Sequence, residues 1–279
     1  MIIIIDVYGG LCNQFYDIIT SVNFCIINNF KFTFRFCSFR EDNLTSWHNE
    51  RFEKLFDIKF LEKIENSKHL FVEYDSLNIN EQNTNNYHGD PGLNLYSHNF
   101  LNEIQNINRE FIVLKQFWWG YIKNNGQIVH DLHKDILPSQ RLMNVYNAIK
   151  TNLNLTNEEY NFIHYRYESD FINHFKINDM KDLKTIILLL KPKFKNPNLK
   201  IYIAASNIKN LINLDDEQMR DIIITKDEDS LKEFNFEENA FIDYMIGLYS
   251  KEVFGHSKSA FSHMLNSLKN TPSNFYDLL

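Results

Sequence analysis

MIIIIDVYGGLCNQFYDIITSVNFCIINNFKFTFRF, residues 1–36, holds a strand, a tight turn, a helix and a second strand in one run. The opening isoleucines are apolar on both alternating faces, as a strand buried on both sides must be, and Gly9-Gly10 close it with a turn. Behind the turn, Leu11, Phe15, Ile18, Ile19, Val22, Cys25 and Ile26 recur at the spacing of one helical face. KFTFRF at 31–36 then alternates as a strand does. A strand, a glycine turn, a helix and a strand begin an α/β layer.

The second half repeats this grammar. NFIHYRY (161–167), IYIAAS (201–206), DIIIT (221–225) and EVFGHS (252–257) read as strands. Helices are expected at 179–191, 207–213, 240–250 and 260–268 between and after them. Such alternation implies a parallel sheet with helices on both faces, whose ligands bind at the carboxyl ends of the strands. Residues 40–110 are less regular, with a helix expected at about 50–64 and an Asn-rich surface loop at 78–92. A strand at 111–121 and a helix at 139–152 follow, and the linker 153–159 divides the chain into lobes 1–155 and 156–279.

Bulk properties narrow the function. With 279 residues, 44% of them hydrophobic, the chain can build two cores. A formal charge of −7 argues against a nucleic-acid binder, which shows phosphates a basic face. Cys12, Cys25 and Cys37 form no CxxC pair, so they read as small buried hydrophobes rather than zinc ligands or a disulfide framework. No secretory signal and no apolar run near the roughly 20 residues of a membrane span is visible, which reads as a soluble, cytoplasmic protein without a membrane span.

Three strand ends carry the chemistry. Gly9 and Gly10 let the backbone approach a ligand, with Asn13 and Gln14 in the next helical turn, both expected to face away from the apolar stripe. In HYRYESD, alternation places His164 and Arg166 on one face of a strand, with Glu168 and Asp170 behind them. The Arg166 fork suits phosphate oxygens; the alternative is an internal ion pair with Glu168 or Asp170. In FGHSKSAFS (254–262), glycine, serines and Lys258 at a helix start suit a diphosphate, or Ser257 or Ser259 serves as an ordinary cap.

Taken in order, these segments resemble the fucosyltransferase superfamily that uses GDP-fucose. YGGLCNQ is similar to its amino-terminal Gly-Gly-Leu-Gly-Asn-Gln motif, FIHYRYESDF to its His-x-Arg strand, and DYMIGLYSKEVFGHSKSAFS to its carboxyl-terminal helix, strand and Ser-rich loop. LKQFWWGYIKN resembles the segment before the linker in α-1,2-fucosyltransferases. The resemblance implies a GT-B fold, two Rossmann-like lobes with parallel sheets facing a cleft, the acceptor in the first and GDP-fucose mainly in the second. It implies an inverting, metal-independent transfer to a hydroxyl of a glycan or protein acceptor. Arg166 would contact the diphosphate and His164 the nucleotide or sugar; Asn13, with Arg166 the catalytic pair, would sit with Gly9 and Gly10 by the reacting centre. Asp243, His256, Ser257, Ser259, Ala260 and Phe261 complete the expected donor site. Cys12 departs from the first motif, and Tyr167 stands where the α-1,2 and α-1,6 branches carry a second arginine, which favours the protein O-fucosyltransferase form. Asp17, Glu168 and Asp170 are the candidate bases, with Trp118 and Trp119 as candidate acceptor contacts.

Two other readings compete. Asp227-Glu228-Asp229 could hold a cation beside a diphosphate in a metal-dependent glycosyltransferase, although the surrounding KDEDSLKE reads as a solvated loop. Trp118, Trp119 and Tyr121 could stack on sugars in a non-catalytic carbohydrate-binding protein, or pack in a core.

Overall fold

The computed structural model describes residues 1–41, 46–64, 67–89, 95–117, 132–206, 208–211, 217–227, 231–271 and 273–279. The chain forms two compact units, Met1–Arg141 and Leu142–Leu279. The division falls inside the helix Gln140–Asn152, ahead of the 153–159 linker.

In the first unit the strands are β1 (Ile2–Asp6), β2 (Lys31–Phe34), β3 (Phe36–Arg40), β4 (Trp47–Arg51), β5 (Phe56–Asp57), β6 (Thr84–His88), β7 (Phe111–Lys115) and β8 (Leu137–Pro138). A parallel sheet runs in the order β2-β1-β7-β6, with two-stranded antiparallel pairs β3-β4 and β5-β8 beside it. Ile3, Ile4 and Ile5 are fully buried, which explains why β1 carries no polar alternation. The helix Leu11–Ile27 buries Phe15, Ile18, Ile19 and Val22 completely. Phenylalanines fill the rest: Phe34 stacks on Phe52 at 4.1 Å between centroids, and Phe52 on Phe56 at 4.9 Å.

Two expectations fail here. The segment expected as a helix at about 50–64 is the end of β4, a 3₁₀ turn at Phe52–Lys54, the short β5 and a second 3₁₀ stretch at Ile58–Lys63. Its aromatic residues are claimed by the Phe cluster, which overrides the local helical spacing. The Asn-rich stretch contains β6, an edge strand in parallel register with β7 from Thr84 opposite Phe111 to His88 opposite Lys115. An edge strand draws on main-chain bonds more than on apolar side chains, so it left no periodic trace.

In the second unit, β9 (Asn161–His164), β10 (Ile201–Ala204), β11 (Ile223–Ile224) and β12 (Val253–Phe254) form a parallel sheet in the order β11-β10-β9-β12. The chain steps outward from β9 through β10 to β11, then returns to the other side of β9. The strand order therefore reverses between β9 and β12, the place where open parallel sheets leave a crevice at their carboxyl ends. Ile163, Tyr165, Ile187, Leu190, Ile201 and Ile203 belong to the core on one side. The helix Phe236–Tyr249 begins with a capping box, Asn235 accepting from the Glu238 N–H and Glu238 accepting from the Asn235 N–H, each at 3.0 Å. The tail folds back beside β12: the Gly255 N–H donates to the Asn274 carbonyl at 3.1 Å, and the Tyr276 N–H to the Gly255 carbonyl at 2.9 Å.

All three cysteines are free and buried, and burial pushes the Cys25 and Cys37 thiols up, away from reactivity. No helix among the described residues is long and apolar enough to cross a membrane.

Candidate functional site

At the carboxyl ends of β9 and β10 lies a cavity of about 260 Å³. Its described lining includes His164, Arg166 and Glu168 from the β9 end, Ser206 beyond β10, Lys226 and Lys232 beyond β11, and Asn239 and Asp243 from the helix Phe236–Tyr249. Leu231, Phe234, Phe236 and Phe261 supply apolar surface. The described lining thus carries three cations against two carboxylates, together with aromatic faces, which suits a ligand with an anionic part and a flat ring.

Arg166 leaves β9 half-buried, its guanidinium 5.3 Å from the Phe171 centroid and 5.5 Å from Phe236. Nη2 donates to Asp170 Oδ2 at 3.2 Å, while Nε approaches Glu168 Oε2 at 3.0 Å as an ion pair without hydrogen-bond alignment. Both acids therefore hold it, so the internal ion pair weighed from the sequence exists. Glu168 also accepts from the Tyr167 N–H at 3.2 Å and the Ser206 hydroxyl at 3.1 Å. Tyr165 lies in the core, and the Tyr167 hydroxyl donates to the Ser206 carbonyl at 2.7 Å.

Opposite them, Lys226 Nζ donates to Asp243 Oδ2 at 2.7 Å and to the Asn239 carbonyl at 3.3 Å. The Tyr202 hydroxyl donates to Asp243 Oδ1 at 2.8 Å. Lys226 is 7% exposed, so this is a buried ion pair on the cavity wall, held by hydrogen bonds on both partners. Asp243 was expected here; Lys226 and Tyr202 were not.

His164 is buried beside Phe261, ring centroids 4.3 Å apart, with Nδ1 2.8 Å from Ser262 Oγ. Burial first, then the charge of Arg166 and the neighbouring His256, push its pKa well below 6.5, so the ring is neutral. His256 is likewise lowered, by burial, with Lys258 adding to the effect and Asp277 opposing it.

The Ser-rich loop spreads its residues over several surroundings. Of its residues Phe261 reaches the described cavity lining, whereas Ser257 faces the tail: its N–H donates to Asp277 Oδ1 at 2.7 Å and its hydroxyl donates to Asp277 Oδ2. Ser259 is the residue before the helix Ala260–Leu268, with no side-chain capping bond, and Ala260 opens that helix. His256 packs edge-on against Phe171 and Tyr276.

The first unit keeps its own strand end. Gly9 has φ of 91°, and a Cβ there would lie 3.3 Å from Asn13 Cβ and Nδ2. A Cβ on Gly10 would lie 2.9 Å from Arg40 Nη2. Asn13 is half-buried in the first helical turn. Gln14, expected to face away from the apolar stripe, is instead fully buried: Nε2 donates to the Gly9 and Ser38 carbonyls at 2.8 and 2.7 Å, and Oε1 accepts from the Ser38 N–H. Its partner is the backbone of β3, which a helical wheel cannot register. Asp17 is 1% exposed and accepts from the Tyr8 N–H at 2.8 Å.

Trp118, Trp119 and Tyr121 lie outside the described residues, as do Glu228 and Asp229; Asp227 is exposed. Among the described residues no group of three or more His, Cys, Asp or Glu is arranged to hold a metal ion.

No protein-family model matches the sequence, and no curated protein matches it. The fold, however, has solved counterparts. POFUT1 in complex with GDP superposes with a TM-score of 0.60 at 10% identity, covering 98% of this chain and 97% of that one. A point mutant of Arabidopsis thaliana FUT1 in complex with GDP gives 0.54 at 9% identity, covering 96% and 68%. Fucosyltransferase NodZ from Bradyrhizobium gives 0.50 at 11% identity, covering 95% and 92%. The chain is thus an α/β protein with parallel sheets and a fucosyltransferase-like fold.

Proposed function

We propose that this protein transfers fucose from GDP-fucose to a hydroxyl of a glycan or protein, with inversion and without a metal ion, and that its two units are the lobes of a GT-B arrangement. The observation that carries this reading is the cation-bearing cavity at the β9 and β10 ends, in a fold shared with proteins solved with GDP bound. In this reading the second unit holds the donor. Arg166 turns its fork to the diphosphate and stabilises the charge that builds on departing GDP, an electrostatic role. Its two carboxylate partners hold the guanidinium in position beforehand. The Lys226–Asp243 pair offers a donor and an acceptor side by side for a nucleobase edge, with Phe236 and Phe261 supplying ring contacts. Asn13 and the Gly9-Gly10 turn sit by the reacting centre, Asn13 as a catalytic residue and the two glycines on the donor.

All three carboxylates considered as bases are engaged within their own unit: Asp17 by the Tyr8 N–H, Asp170 by Arg166, and Glu168 by Arg166, Tyr167 and Ser206. Glu168 is the one of the three on the cavity wall.

Release of GDP from GDP-fucose, with GDP-mannose and UDP-glucose alongside and EDTA in parallel, tests the reading. Release from GDP-fucose alone, indifferent to EDTA, is the expected result. Absence of release, together with no GDP binding by calorimetry, would overturn it and bring forward the carbohydrate-binding alternative.

A further inference from the structure

We infer that Ser262 fixes His164 as the Nε2–H tautomer, so that this imidazole presents a neutral N–H donor to whatever ligand enters the cavity. The argument is a count of protons. Ser262 is fully buried in the helix Ala260–Leu268, and its hydroxyl has one hydrogen to give. Its oxygen already accepts the His256 N–H at 3.1 Å. The remaining contact, 2.8 Å to His164 Nδ1, can run in either direction. If Nδ1 carried the proton, the hydroxyl hydrogen would be buried without an acceptor among its contacts, at a cost proteins avoid. If Ser262 donates, every polar atom in the chain from the His256 N–H through Ser262 to Nδ1 is matched. The proton then sits on Nε2, the one polar atom that His164, as part of the cavity wall, has left to offer. Burial and the nearby Arg166 charge disfavour the doubly protonated ring.

The backbone is shaped to permit this contact. A Cβ on Gly255 would lie 2.2 Å from Ser262 Oγ and 2.4 Å from its Cβ, so only glycine lets the helix start come this close to the end of β12. Gly255 is pinned on its far side by main-chain bonds to Asn274 and Tyr276, which keep it from yielding. Ser262 is thus a positioning residue that bridges the two strands, β9 and β12, between which the sheet order reverses.

The part of this inference that concerns a nucleotide rests on the function proposed above; the tautomer does not. The test is nitrogen NMR of ¹⁵N-histidine-labelled protein without ligand at neutral pH, with His164 assigned by difference from His164→Gln. A proton on Nε2 with bare Nδ1 is expected; a proton on Nδ1, or on both nitrogens, would overturn the inference. The spectrum of the unmodified protein decides this even if substitutions at Ser262 fail to fold. Where Ser262→Ala folds, the ring should populate both tautomers and GDP affinity should fall roughly five- to tenfold, the effect of one misdirected hydrogen bond. An unchanged tautomer in Ser262→Ala would sink the assignment to Ser262. If Nε2–H is found and GDP does not bind, the donor reading fails and the tautomer lock stands. If GDP binds while Nδ1 carries the proton, the lock fails alone.

Discussion

Each unit has a buried apolar strand, β1 in the first and β9 in the second, whose carboxyl end leads into polar residues, yet the two use those residues in opposite ways. At the end of β1 the fold consumes them: Gln14 holds the glycine turn to β3, and Asp17 holds the Tyr8 N–H. At the end of β9 and across from it, charged groups are paired with one another while still lining open volume. A polar residue at a strand end is therefore no sign of a site by itself. What separates the two cases is whether the charges remain on the wall of a cavity after their partners are counted.

The strongest way to break this contrast is Lys226→Met. It leaves Asp243 buried without its cation, and a loss of about 3–5 kcal/mol is expected; the Lys226→Met, Asp243→Asn double variant should recover much of it in urea unfolding. Equal losses in single and double variants would mean that the pair is not a coupled unit. Arg166→Ala should lower GDP-fucose turnover about a hundredfold or more while leaving the melting temperature near that of the parent, because Glu168 keeps its Tyr167 and Ser206 donors. A large stability loss with intact turnover would make Arg166 a structural residue like Gln14. Gln14→Ala should do the reverse, costing roughly 2–3 kcal/mol by orphaning buried main-chain groups with no change in GDP affinity by calorimetry.

The smallest effect sharpens the comparison through pH. His164 titrates well below its usual 6.5 in the folded protein, so on acidification the unfolded chain takes up this proton first. Its contribution leaves stability intact above about pH 6.5 and erodes it as pH falls from there toward the folded value. His164→Gln should flatten that part of the melting-temperature profile; an unaltered profile would show that the ring is not held neutral by burial.

Much of the second unit was legible because its signals are local. Alternation along HYRY separates His164 and Arg166 from Tyr165, and the helix 260–268 is found where its apolar spacing puts it. Lys226 was missed because it opens the hydrophilic run KDEDSLKE, and nothing near it in sequence announces the Asp243 carboxylate. Tyr202 was missed for the same reason, as an aromatic in an apolar strand looks like core until its hydroxyl is followed to Asp243. Gln14 was misjudged because its partners belong to β3, and β6 because main-chain bonds in an edge strand leave no hydrophobic rhythm. Each error is a long-range contact read from a short-range pattern.

The tail beside β12 has a practical consequence for anyone handling this protein. Asn274 and Tyr276 clamp Gly255, and Asp277 ties down Ser257, so residues 274–279 work as a splint on the loop that carries His256 and leads into the helix of Ser262. Removing them would take away the Asn274, Tyr276 and Asp277 contacts together, and a preparation cut there would lose GDP binding for reasons unrelated to catalysis.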